Sequence, residues 1–92
     1  MPNLEVPCVV EGRSWTKLPG REYYEYEGKA AGGWRRIAVV EHGQKFWWWA
    51  VYDGNFFPFK IGTSPTKKDS FNEVGMYLLV LEVNEYMKER KL

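Results

Sequence analysis

The chain has 92 residues, of which 45% are hydrophobic and 27% are charged. This balance is typical of a folded globular protein and excludes a disordered chain. The length suits a single domain over residues 1–92 and is too short for two independent cores. The 13 basic and 12 acidic residues leave a net charge of +1, which predicts no overall attraction to nucleic acid or to a membrane surface.

Cysteine content and hydropathy indicate where the protein works. Cys8 is the single cysteine, which excludes an intramolecular disulfide and favours a reducing compartment. The N-terminus lacks the cationic stretch and the apolar run of a signal peptide. No apolar segment approaches the ~18 residues that a membrane span requires. We therefore expect a cytoplasmic protein with no membrane partner.

The first third of the chain predicts one or two strands. Residues 7–17 and 21–27 are rich in β-branched and aromatic side chains and are separated by the turn signal Pro19-Gly20. Within the second run, alternation places Tyr24 and Tyr26 on one side and Tyr23 on the other. The acidic residues that alternate with these tyrosines are typical of an edge strand kept soluble by its charges.

The middle of the chain predicts a meander of three strands, over residues 34–41, 44–52 and 56–61. The first connection is predicted at His42-Gly43 and the second at Asp53-Gly54 or one residue later, since these residue types tolerate the positive φ angles of two-residue hairpin loops. Residues 29–33 are small and flexible and are predicted to form the loop that leads into the meander.

The pattern changes to that of a helix over residues 70–90. Ser70 and Glu73 have the spacing of a capping box, which satisfies free backbone N–H groups at a helix start. Apolar residues then recur at helical spacing. This predicted core stripe comprises Met76, Leu79, Val80, Val83 and Tyr86 or Met87, with Glu82, Glu85 and Glu89 on the opposite side. The competing interpretation is a strand over residues 76–83, because that run is nearly all apolar.

Together these elements predict an α+β fold, in which a four- or five-stranded antiparallel sheet (a meander) packs on one C-terminal α-helix. In outline this order is similar to small sheet-plus-helix single-strand binders of the Whirly type. The resemblance implies a dimer, which would also cover exposed sheet edges.

Alternation through the two hairpins sorts the meander into two sides. A two-residue loop at His42-Gly43 sets Arg36 opposite Trp49 and Ala38 opposite Trp47. One side is the richer in large apolar residues and is predicted to be the core. It carries Ile37, Val39, Phe46, Trp48, Ala50, Tyr52, Phe57, Phe59 and Ile61, with Arg35 and Glu41 near its ends.

The opposite side is the candidate site. It combines aromatic rings, on which bases can stack, with cations that can follow the phosphates of a single strand of DNA or RNA. The predicted nucleic-acid-binding residues are Trp34, Arg36, Lys45, Trp47, Trp49, Phe56 and Lys60. The middle third of the chain, residues 29–60, supports this prediction because it holds five basic and two acidic residues.

Three alternatives compete for the same side chains. They could form a second core layer, they could form an interface with another protein or with a second copy in a homodimer, or their Trp rings could stack on a glycan. The near-neutral net charge favours the protein interface.

An enzyme is not expected, and neither is a cofactor or a metal. His42 is the single histidine and falls in a predicted turn, no Cys/His cluster could hold zinc, and no nucleophile or phosphate-binding motif is present.

Overall fold

The protein, described by a computed structural model over residues 6–30, 33–54 and 57–90, is an antiparallel sheet packed on one C-terminal helix. The strands are β1 (Val6–Val10), β2 (Arg13–Lys17), β3 (Tyr23–Lys29), β4 (Arg35–His42), β5 (Trp47–Asp53) and β6 (Lys60–Ser64), and the helix is α1 (Lys67–Arg90). The strands pair in chain order from β1 to β6. The α+β architecture is confirmed, whereas the predicted count of four or five strands is too low.

The additional strand arises because residues 7–17 fold into a hairpin. Val10 pairs with Arg13, and the two loop residues Glu11 and Gly12 both have positive φ angles of 50° and 80°. Two successive positive φ angles define the type I′ loop that matches the twist of paired strands. Strand β3 lies between β2 and β4, so the prediction that it forms an edge was wrong.

The β4–β5 connection is longer than predicted. His42 pairs with Trp47, and the four-residue loop 43–46 is closed by a hydrogen bond of 2.9 Å from the Gly43 N–H to the Phe46 carbonyl. Val40 therefore faces Trp49, in place of the predicted Arg36. The shift is by an even number of residues, so the sorting of side chains into two sides is unchanged.

Helix α1 starts at Lys67, three residues before the predicted Ser70. The Thr66 hydroxyl accepts a hydrogen bond of 3.1 Å from the backbone N–H of Asp69, as the N-cap residue of a helix does. Ser70 is buried within the first turns and its hydroxyl has no partner among the described residues. The helical prediction for residues 76–83 is confirmed, and the predicted Ser70–Glu73 cap is wrong.

The core lies between α1 and the side of the sheet that was predicted to be open. On the sheet it comprises Trp15, Tyr24, Ala38, Val40, Trp49 and Val51, and on the helix Phe71, Val74, Leu78 and Leu81. Ala38 of β4 is fully buried in this layer, and the ring of Trp49 stacks obliquely on that of Tyr77, with 5.5 Å between the ring centroids. The side of the sheet that was predicted to form the core therefore faces away from α1, and that prediction was wrong.

Close packing around Trp49 makes Gly62 intolerant of a side chain. A Cβ atom added at Gly62 would lie 2.5 Å from Trp49 Cζ2. We expect Gly62→Ala to lower the free energy of unfolding by about 1–3 kcal/mol, as overpacking of a dense core does. Urea unfolding measures the loss, with exposed Thr63→Ala on the same strand as the control. Equal stability of the two variants would contradict this packing.

Candidate interaction surfaces

Two of the predicted nucleic-acid-binding residues are buried under α1. Trp49 is 4% exposed and belongs to the core, and Arg36 is also 4% exposed. Neither side chain is on a free surface, so the prediction that their side of the sheet is open was wrong. The physical reason is that α1 supplies a carboxylate, Glu85, for Arg36 and an aromatic ring, Tyr77, for Trp49.

The partners of Arg36 are two carboxylates. Its Nε donates to Asp53 Oδ1 at 2.9 Å, and its NH2 group donates to Glu85 Oε2 at 2.8 Å. Burial acts to lower the pKa of Arg36, but the hydrogen bonds to Glu85 and Asp53 outweigh it and hold the pKa above its ordinary value. The positive charge predicted to neutralise phosphate is therefore already neutralised within the protein.

A second ion pair joins the helix to the sheet in the same way. Arg13 of β2 donates two hydrogen bonds to Glu82, of 2.7 and 2.8 Å. These bonds lower the pKa of the Glu82 carboxyl below its ordinary value of 4.5 and raise that of Arg13. Glu82 and Glu85, predicted to line the outer side of the helix, thus face the sheet.

The Arg13–Glu82 pair predicts a pH dependence of stability. Because the folded pKa of Glu82 is lowered, its contribution is present above pH 4.5 and is lost as the pH falls through the folded value. Arg13→Met should therefore cost more stability at pH 7 than at pH 3. Unfolding midpoints of the two proteins at both pH values test this. An equal difference at pH 7 and pH 3 would contradict the pairing.

The other predicted site residues are scattered. Trp34 is exposed beside Gly54, and Trp47 is half-buried with its ring 4.7 Å from that of His42. Lys45 is exposed in the β4–β5 loop, and the exposed Lys60 places its ammonium 5.8 Å from the ring of Tyr77. Phe56 lies outside the described residues. The predicted set does not form one surface.

Two large apolar surfaces are exposed within the described part of the chain. One of them is the outer side of α1, which faces away from the sheet. Six side chains there are between 42% and 61% exposed. We call them the outer stripe, and they are Met76, Leu79, Val80, Val83, Tyr86 and Met87. Sequence reasoning assigned them to the core. The signal that it missed is a second apolar series at helical spacing, which includes Phe71, Val74, Leu78 and Leu81 and packs on the sheet.

The second such surface is the side of the sheet that faces away from α1. Over β4 to β6 it presents Trp48, Tyr52 and Ile61, which border a shallow depression of about 350 Å³. Towards β3 it becomes charged, with Glu25 and Glu27 on the same side. Arg35 forms an ion pair with Glu27, so this charged part is partly neutralised.

Neither surface has the composition of a metal centre. Among the described residues no group of three or more His, Cys, Asp or Glu side chains is arranged to hold a metal ion. Within the same residues, no helix combines the length and the hydropathy needed to cross a membrane.

Comparison of the chain with protein families, with curated proteins and with solved structures gave no match.

Proposed function

We propose that this protein is a non-enzymatic interaction module that assembles with another helix through the outer stripe of α1. The observation that carries the proposal is that α1 is apolar on two opposite sides. One side packs on the sheet, and the other leaves six large apolar side chains about half exposed. A helix that is apolar all round belongs in an interior, and contiguous apolar patches of this size mark interaction sites.

The charge distribution supports a protein partner over a nucleic acid. The outer stripe contains no charged residue, and the cation best placed for phosphate on the predicted site, Arg36, is held by Asp53 and Glu85. On the open side of the sheet Glu27 is paired with Arg35, and the carboxylate of Glu25 would repel phosphates that approach the exposed ring of Trp48.

Binding of a single strand of nucleic acid stays a prediction. Of the cations in the predicted site, Lys45 and Lys60 are exposed. Titration with mixed-sequence oligonucleotides at low salt, followed by tryptophan fluorescence, tests it directly. Quenching that disappears at high salt would favour nucleic acid over the protein-interaction module.

The proposed function is tested with a synthetic amphipathic helix that carries Leu at the a and d positions, the first and fourth of each seven-residue (heptad) repeat. The wild-type chain should bind this peptide at low protein concentration, as measured by fluorescence anisotropy. Val83→Asp, in the middle of the outer stripe, should weaken binding at least about tenfold, since it buries a charge without a partner.

Asn84→Asp is the matched control. Asn84 is the neighbouring residue and is exposed off the stripe, so the same change of charge there should leave binding within about twofold. Circular dichroism of both variants reports whether α1 is intact. Equal binding by Val83→Asp and wild type, or no binding by wild type, would overturn the proposed function.

A further inference from the structure

We infer that the helix received by the outer stripe is α1 of a second copy of this chain, lying antiparallel. This inference rests on the proposed function and names its partner. It predicts a four-layer particle in which two sheets enclose a pair of helices.

The spacing of the outer stripe is that of a coiled coil. Met76, Leu79, Val83 and Tyr86 alternate steps of three and four residues, which is the a and d spacing of a heptad repeat. Val80 and Met87 each follow a d residue and widen the seam on one flank. A heptad seam fits a partner helix with the same repeat, and α1 itself provides that repeat over the 11 residues from Met76 to Tyr86.

The order of side-chain sizes along the seam is compatible with an antiparallel pair, and the helix macrodipoles favour that orientation. It is palindromic, with the larger Met76 and Tyr86 outside the smaller Leu79 and Val83. When a second copy is reversed, Met76 faces Tyr86 of that copy and Leu79 faces its Val83. Each layer then combines an a residue with a d residue, and a large side chain always meets a large one. The reversed helices also oppose their macrodipoles, which a parallel pair would align.

The surrounding charges permit the two copies to approach. Glu82 flanks the seam, but its charge is neutralised by Arg13 at 2.7 Å. The chain as a whole carries only +1, so repulsion between copies is small.

The exposed area is sufficient for a stable pair. At ordinary residue areas, the exposed fractions of the outer stripe correspond to roughly 600 Å² per copy, so a pair that covered all of it would bury about 1,200 Å², the lower end of specific interfaces. We therefore expect a dimer that dissociates on dilution, rather than an obligate one.

Cysteine pairing tests the orientation. In a Cys8→Ser background, Met76→Cys and Tyr86→Cys are prepared separately, oxidised under mild conditions and analysed on non-reducing gels. In the antiparallel pair each introduced thiol lies about 15 Å along the axis from its own equivalent. Neither variant alone should therefore form a covalent dimer, whereas an equimolar mixture should form one.

Covalent dimers of each variant alone would indicate a parallel pair and overturn the inference. An Asn84→Cys variant mixed with Met76→Cys is the control for random collision, and dimers formed equally well there would also overturn it. Both seam positions are more than half exposed, so folding should be unaffected, and circular dichroism checks this.

Sedimentation equilibrium of the unmodified chain, from low micromolar to several hundred micromolar, tests self-association itself. The mass should rise towards that of two chains, and Val83→Asp should weaken the association at least about tenfold. A wild-type monomer throughout this range would overturn the inference. If that monomer still bound the synthetic helix, the proposed function would stand with a different partner, and if it did not, both would fall.

Discussion

Replacing Trp49 by alanine should lower the free energy of unfolding by about 3–5 kcal/mol, the range for removing a large aromatic side chain from a core. Trp49 is 4% exposed and contacts Tyr77 of α1 and Gly62 of β6. Its removal would leave a cavity under the helix, and small domains are stable by only about 5–15 kcal/mol in total. Urea unfolding followed by circular dichroism measures the loss.

Trp48→Ala provides the matched control, because the same residue type is removed one position away on the opposite side of the sheet. Trp48 is 37% exposed, and we expect this variant to lose less than half as much stability as Trp49→Ala. The comparison of the two variants also shows on which side of the sheet α1 packs. If Trp48→Ala were the more destabilising of the two, the helix would have to cover the other side.

Replacing Arg36 by methionine should cost about 3 kcal/mol, at the low end of the range for breaking a buried ion pair. Methionine keeps much of the side-chain volume but removes both hydrogen bonds, so the carboxylates of Asp53 and Glu85 lose the charge that they flank. Those carboxylates are 31% and 27% exposed, which is why the low end applies. The same urea unfolding experiment reports the loss.

Arg35→Met is the control for Arg36→Met. Arg35 is the preceding residue on β4, its side chain is 69% exposed, and its ion pair with Glu27 lies at the surface. Exposed pairs contribute between zero and about 1 kcal/mol, so Arg35→Met should be close to wild type. Similar losses for the two variants would contradict the buried network around Arg36.

Much of the fold could be predicted because it depends on local patterns. Alternation in β4 and β5 sorted the side chains correctly even though the loop at Gly43 has four residues, since the register moved by an even number. The β1–β2 hairpin was missed because its loop begins with Glu11, a residue type that rarely adopts the positive φ angle found there.

The choice of side could not be made from these patterns. Both sides of β5 are aromatic, and both sides of α1 are apolar, so counting large residues gave the wrong answer for the sheet and for the helix. What decides the packing is complementarity between the two elements. Arg13 and Arg36 need carboxylates, and Glu82 and Glu85 of α1 provide them when that side of the helix faces the sheet. Neither element shows this pairing by itself.

The strict chain order of the strands has a consequence for biosynthesis. The six described strands end before residue 67, so the helix that covers them is synthesised after all of them. Until then the nascent sheet would leave Trp15 and Trp49 in water, a state prone to aggregation. Chains that terminate before α1 should therefore be substrates for chaperones or proteases, because α1 supplies the side chains that cover these two rings.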